Sequence, residues 1–161
     1  MSIQQIITVV RGFHGAFVLV PEPGSDFPEP AWGDAFFYYA PDGRMPRNQQ
    51  PYATVVTKDQ PDDSASDLDP PHRWRVNIHV DRATFRELTG EDPRRLGRER
   101  DHAAADQVMP HPVYGAHGWV SVVNPGERTR STVVRLLHEA HHAARARFER
   151  RHAGGRPPGH D

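Results

Sequence analysis

Cysteine is absent from this 161-residue sequence. Its absence excludes disulfides, thiolate metal sites and cysteine nucleophiles, and it fits a reducing compartment. Long apolar runs are also lacking, since none approaches the roughly 18 residues that a transmembrane helix needs. The first residues show neither the basic segment nor the continuous apolar block of a signal peptide. We therefore expect a soluble, cytoplasmic protein with no membrane partner.

Three motifs of common enzyme classes are missing as well. The sequence contains no G-x-x-x-x-G-K-[ST], no G-x-G-x-x-G and no G-x-S-x-G. Phosphate-binding loops, Rossmann cofactor sites and α/β-hydrolase chemistry are therefore not expected. Lys58 is the only lysine in the sequence. Proton chemistry would have to rest mainly on His, Asp, Glu and Tyr, and no cofactor is implied.

The formal net charge is −1, but it is unevenly distributed, with −6 on residues 1–70 and +5 on residues 71–161. A basic half can mark a nucleic-acid-binding face. Arginines scattered over turns and a helix end are the commoner explanation. Nucleic acid is therefore a less favoured partner than a small molecule or a second copy of the chain.

Apolar spacing and capping residues predict helices over residues 3–12, 81–88 and 129–150. Ser2 and Gln5 have the spacing of a capping box at the start of the first helix. Asp81 can cap the second helix, which Gly90 is placed to end. Alternating or β-branched segments predict five strands, over residues 16–20, 31–40, 52–58, 72–80 and 118–123.

These elements, in the order α-β-β-β-β-α-β-α, predict an α+β fold. The economical layout is an antiparallel sheet of about five strands with helices packed on one face. Residues 1–152 are predicted to form a single domain, because no linker long enough to separate two domains interrupts them. The Gly- and Pro-rich residues 153–161 are predicted to be a disordered tail.

Four ordered phrases carry a resemblance to a known group: AWGDAFFYYAPDG, ATVVTKD, RVNIHVDRATFRELTG and MPHPVYGAHGWVSVVNPG. Over residues 3–150 the chain resembles an uncharacterised, mainly high-GC bacterial family. It is more distantly similar to the MmcQ/YjbR group, which has the secretion-chaperone-like α+β fold and is often described as DNA-binding. The resemblance implies the YjbR-like fold and supplies no catalytic residues, because fold alone does not carry function.

The strand RWRVNIHV alternates between apolar and polar side chains. Its period of two places Arg75, Asn77 and His79 on one face. Such a row can line a binding surface, or it can be the wet face of a half-buried sheet. Asp34 and Lys58, on neighbouring predicted strands, would join the row if the registers agree.

The segment MPHPVYGAHGW places four ring-bearing side chains in nine residues. His111 lies between two prolines that restrict the backbone, and Tyr114, His117 and Trp119 follow. A rigid loop of this kind suits acid–base chemistry or the binding of a planar ligand. Alternatively, the His and Tyr bond to backbone and the Trp fills the core. We assign His111, Tyr114 and His79 as candidate catalytic residues. The candidate ligand-binding residues are Arg75, Asn77, His117, Trp119, Asp34 and Lys58.

Three other patterns are interpreted without a binding site, the first two of them as solvated surface. His138, Glu139 and His142 match the H-E-x-x-H zinc motif, but helical spacing places both histidines opposite the apolar face, so no metal site is predicted. The acidic loop could bind Mg²⁺ or Ca²⁺ but lacks EF-hand spacing; its carboxylates are Asp59, Asp62, Asp63, Asp67 and Asp69. The arginines at the end of the last helix complement its dipole; they are Arg145, Arg147, Arg150 and Arg151.

We therefore expect a small-molecule-binding domain or a minor metabolic enzyme that uses His, Asp and Tyr in acid–base chemistry. Its pocket would lie between the polar sheet face and the His111–Trp119 loop. Two alternatives stay open, a DNA-associated protein of the MmcQ/YjbR kind and a homodimeric interaction module. Neither the ligand nor a reaction follows from the sequence.

Overall fold

The computed structural model describes residues 1–154. The elements follow the chain in the order α1 (Ile3–Arg11), β1 (Ala16–Leu19), β2 (Ala35–Tyr39), β3 (Ala53–Val56), β4 (Arg75–His79), α2 (Arg82–Thr89), β5 (Met109–Pro110), β6 (Trp119–Val123) and α3 (Arg130–Gly154). The α+β class is therefore confirmed. Residues 153 and 154 of the predicted tail continue α3, and its other residues lie outside the described part of the chain. Among residues 1–154, no helix is both long enough and apolar enough to span a bilayer.

The helix ends follow the capping residues that the sequence indicates. The Ser2 side chain accepts a hydrogen bond from the Gln5 backbone at 3.2 Å, and the Gln5 side chain accepts one from the Ser2 backbone at 2.8 Å. Asp81 accepts from the Thr84 backbone at 2.7 Å at the start of α2. Gly90 ends α2 in the left-handed conformation, with φ of 73°, which glycine adopts without steric cost.

The sheet has the strand order β1-β2-β3-β4-β6-β5, and each neighbouring pair in it is antiparallel. The prediction of about five strands was short by one, because it missed β5. This strand has only two residues, Met109 and Pro110, which is too short for a period-two signal. Its proline is tolerated because β5 lies at the edge of the sheet.

The register gives the sheet two different faces. On the first face, apolar side chains such as Phe37, Val76 and Val122 join the buried core. Apolar residues from α1, α2 and α3 belong to the same core cluster, so the three helices pack on this face. Burial of this apolar surface is the main term that stabilises the fold.

The second face carries a patch of mostly polar side chains, here called the polar sheet face: Thr54, Arg75, Asn77, His79, Trp119 and Ser121. The register pairs Thr54 with Asn77, Asn77 with Ser121, and His79 with Trp119. The connection over residues 57–74 and the loop between β5 and β6 lie over part of this face, because Arg75 contacts Asp63 from the former and His111 from the latter. Asn77 and Arg75 are consequently buried, although both are polar.

Candidate functional site

A cavity of about 800 Å³ opens over the polar sheet face. All residues of the polar sheet face except Ser121 line it and form its floor. Its walls come from residues 48–52, from the loop between β5 and β6, and from the C-terminal half of α3. Cavities of a few hundred to about 1,000 Å³ are typical of small-molecule sites.

Seven of the nine candidate residues from the sequence line this one cavity: Arg75, Asn77, His79, His111, Tyr114, His117 and Trp119. Asp34 and Lys58 lie elsewhere: Asp34 immediately precedes β2, and Lys58 follows shortly after β3. The Lys58 ammonium lies 3.5 Å from the Asp34 carboxylate, and it donates to the backbone oxygen of Trp32 at 2.7 Å. This pair fastens the turn before β2 to the end of β3 and does not reach the cavity.

Arg75 is the centre of the hydrogen-bond network beneath the cavity. Its guanidinium forms a two-pronged ion pair with the Asp63 carboxylate, donates to Ser66 Oγ at 2.9 Å and donates to Asn77 Oδ1 at 2.8 Å. Two-pronged pairs of this kind fix orientation as well as charge. Burial alone would raise the pKa of Asp63, but the hydrogen bonds and the charge of Arg75 outweigh it and hold that pKa below its ordinary value.

Two other acidic residues position Asp63 and Ser66 by holding the long loop in shape. Asp59 accepts a hydrogen bond from the Leu68 backbone at 2.9 Å, and Asp69 accepts one from the Asp59 backbone at 3.0 Å. Such contacts cap loop backbone groups that would otherwise lack partners. The acidic loop therefore supplies an ionic partner for the sheet through Asp63.

A row of uncharged polar groups continues from Arg75 across three strands. Asn77 donates to Thr54 Oγ1 at 3.0 Å, and Ser121 donates to Asn77 Oδ1 at 2.9 Å. These bonds connect β3, β4 and β6 through side chains as well as backbone. Satisfied networks of this kind hold their members in fixed positions.

His111 forms part of the cavity wall, and hydrogen bonds hold its ring at Nδ1. Its Nδ1 accepts hydrogen bonds from the backbone of Val113 and of Tyr114, both at 3.0 Å. Its Nε2 lies 3.2 Å from Nη2 of Arg75 and 3.8 Å from the Asp63 carboxylate. Burial lowers the pKa of His111 to about 4, and the charge of Arg75 contributes to that decrease. The ring is therefore neutral near pH 7.

The loop between β5 and β6 also orients His79, through His117 near the end of the loop. Its Nε2 donates to the backbone oxygen of His117 at 3.1 Å, which leaves Nδ1 as the unprotonated nitrogen of the neutral ring. Burial lowers the pKa of His79. The close approach requires Gly118, whose φ is +87°; a Cβ there would lie 3.2 Å from Val80 O and 3.3 Å from His79 Nε2.

Aromatic rings supply the apolar part of the lining. Trp119 lies beside His79, with ring centroids 5.6 Å apart, and Tyr114 lies beside His111 at 5.0 Å. Tyr52 is buried, and its hydroxyl bonds to Nδ1 of His141 at 2.8 Å. Rings arranged around a polar floor suit a ligand that has both a planar part and polar groups.

The sequence assigned other roles to three charged residues that line the cavity: Asp63, Arg147 and Arg151. Neither the acidic loop nor the arginine-rich helix end indicates a shared site. Arg147 and Arg151 are four residues apart and thus share one face of α3, which is the signal that could have identified them. Nothing in the spacing of the acidic loop indicates which of its carboxylates reaches Arg75.

The residues of the H-E-x-x-H match lie on the exposed side of α3, away from this cavity. The His138 ring stacks on Phe13 with centroids 5.2 Å apart, and Glu139 lies 3.9 Å from Arg135. His142 is exposed. Across residues 1–154, no group of three or more His, Cys, Asp or Glu side chains could hold a metal ion.

Comparison with known proteins identifies one family. Residues 1–153 match the model of a family of unknown function, DUF6194, so the chain belongs to that family. No curated protein and no solved structure is significantly similar to it.

Proposed function

We propose that this member of the DUF6194 family binds a small molecule in the cavity over the polar sheet face. One observation carries the proposal: seven residues selected from two separate sequence segments line a single cavity of about 800 Å³. They come from β4 and from the loop that leads into β6, which the fold brings together. If the polar face of β4 were only solvated surface, nothing would require the loop between β5 and β6 to be held rigidly above it.

The two histidines have complementary hydrogen-bonding states. The backbone amides of Val113 and Tyr114 make His111 Nδ1 an acceptor, so its Nε2 carries the proton. The His117 carbonyl makes His79 Nε2 the donor, which leaves Nδ1 of His79 able to accept a proton. A proton donor at His111 and a proton acceptor at His79 in the same cavity would support the acid–base chemistry of a minor metabolic enzyme.

The other expectations from the sequence stay predictions. They are the cytoplasmic location, the homodimer, the DNA-associated alternative and the similarity to the MmcQ/YjbR group. Two arginines of the basic helix end face the cavity. This placement favours a small ligand over a nucleic-acid duplex, which needs basic groups spread over an extended surface.

A small-molecule screen by two-dimensional NMR tests the cavity. Bound compounds should shift the indole N–H resonance of Trp119. His79→Ala and Tyr114→Ala should weaken binding about tenfold, because each removes a ring from the lining. Tyr114 is 47% exposed, so its removal should leave the fold intact.

Val113→Ala is the matched control. Val113 is 39% exposed and adjoins Tyr114, but it is not part of the cavity lining. Its substitution should leave affinity unchanged. Compounds that shift only resonances remote from the cavity, or that bind the three variants equally well, would show that the site is misplaced.

A further inference from the structure

The cavity wall presents hydrogen-bond donors that face one another. Nδ1 of His111 accepts from two backbone amides, and a neutral imidazole has only one acceptor nitrogen. Its Nε2 therefore carries the proton. That N–H lies 3.2 Å from Nη2 of Arg75, and a guanidinium has donors only. The Asp63 carboxylate accepts from Nη2 of Arg75 but lies 3.8 Å from Nε2 of His111, too far for a hydrogen bond. Among the described residues the Nε2–H group thus faces a donor instead of an acceptor, which is a costly arrangement in a buried position.

A second group of hydrogen-bond donors lines the cavity from α3. Arg147 and Arg151 line the cavity, and neither forms an ion pair with another residue of the described chain. Asp63, the acidic residue of the lining, is already paired with Arg75. Burial lowers the pKa of Arg147, and the charges of Arg151 and Arg150 lower it further. Among residues 1–154, positive charge is thus concentrated here without a compensating carboxylate.

The helix dipole is an alternative explanation for these arginines, because cations near a C-terminus complement it. That explanation applies equally to Arg150, which is exposed and does not line the cavity. It does not account for the donor pair at His111 and Arg75, which belongs to other elements. An acceptor-rich, negatively charged ligand accounts for both features at once.

We propose that the ligand of this cavity is an anion bearing a carboxylate or phosphate group, which Arg147 and Arg151 bind, and that one of its oxygens accepts hydrogen bonds from His111 Nε2 and Arg75. This inference rests on the proposed small-molecule function and specifies its ligand class. Guanidinium groups suit both anions, because they bind carboxylate and phosphate oxygens in a two-pronged geometry.

Four probes with the same ring test the charge requirement: benzoate and phenyl phosphate, and the neutral benzamide and phenol. Their dissociation constants are measured by NMR titration, with the Trp119 indole N–H as the reporter. The anions should bind at least about tenfold more tightly than the neutral probes, since charge-assisted hydrogen bonds are the stronger ones. The tighter of the two anions indicates which group the site prefers.

Arg147→Gln and Arg151→Gln should each weaken benzoate or phenyl phosphate binding about tenfold. Arg150→Gln is the matched control, because it removes the same charge from the same helix end outside the cavity; its effect should stay below about twofold. Equal binding of charged and neutral probes, or equal losses in the three variants, would overturn the anion inference and leave cavity binding intact. If no probe shifts a cavity resonance, cavity binding fails and the inference fails with it.

Discussion

Arg75 carries a full positive charge on a side chain that is only 1% exposed. A charge in such surroundings is costly unless it is paired and fully hydrogen-bonded. Ser66 and Asn77 accept two of its hydrogen bonds, but Asp63 supplies the opposite charge. The stability of the polar sheet face therefore depends on a residue that belongs to a loop.

Asp63→Asn tests this dependence. The substitution keeps the shape of the side chain but leaves the buried guanidinium without a counter-charge, so the free energy of unfolding should fall by about 3 kcal/mol. Urea denaturation measures the loss. Asp62→Asn is the control, since Asp62 is the exposed neighbour and the same charge is removed. A loss of equal size in both variants would mean that the Arg75 pair contributes little.

For individual residues, the sequence indicates which side chains share a face of the sheet but not which residues of other segments contact them. The period of two along β4 places Arg75, Asn77 and His79 together, and the register with β3 and β6 shows them on one face. Asp63 could not be selected in advance, because its position depends on loop contacts made by Asp59 and Asp69. Loop geometry has no periodicity that a sequence could display.

Among the elements, α3 has a capping group that lies far away in the chain. The Asp106 carboxylate accepts from the backbone of Gly126 at 2.8 Å, of Arg128 at 3.0 Å and of Thr129 at 3.0 Å, and from the Thr129 hydroxyl at 2.6 Å. Burial alone would raise the pKa of Asp106, but these hydrogen bonds lower it to about 2. The carboxylate thus accepts hydrogen bonds from donors in the turn that leads into α3, which would otherwise lack partners.

Asp106→Ala should lower the free energy of unfolding by about 1–2 kcal/mol, because it removes the acceptor for these donors. Hydrogen exchange should accelerate most for the amides of Gly126, Arg128 and Thr129, which lose their acceptor, and urea denaturation gives the total loss. Glu99→Ala is the control, since it removes an exposed carboxylate from the same connection. Unchanged exchange at these three amides would mean that Asp106 does not cap the turn that leads into α3.

The elements themselves were largely predictable where local chemistry fixes them. Ser2 and Gln5 mark the start of α1, and Asp81 and Gly90 bound α2, because capping acts over three or four residues. The predictions failed to identify β5, whose two residues pair with β6 only in the folded chain. The cap from Asp106 was missed for the same reason, since its partners are about twenty residues away.

For the molecule as a whole, burial lowers the pKa values of the shifted histidines, and hydrogen bonds lower those of most shifted carboxylates. The groups with a lowered pKa are His79, His102, His111, His141, Asp63, Asp81, Glu91, Asp92 and Asp106. Each binds fewer protons in the folded state than in the unfolded state over its own pH window. Asp34 acts in the opposite direction, because burial raises its pKa.

Stability should therefore decrease as the pH falls from 7 to 4. For His111, protonation begins near pH 6.5 in the unfolded chain but only near 4 in the folded one, so its contribution is present above 6.5 and is lost between these values. One such group changes the slope of the free energy of unfolding against pH by up to about 1.4 kcal/mol per pH unit.

Urea denaturation of wild type and His111→Gln between pH 8 and pH 4 measures this slope. The difference at pH 8 reports lost contacts, while the shallower slope expected for His111→Gln reports titration. Equal slopes would mean that His111 protonates as readily in the folded protein as in the unfolded one.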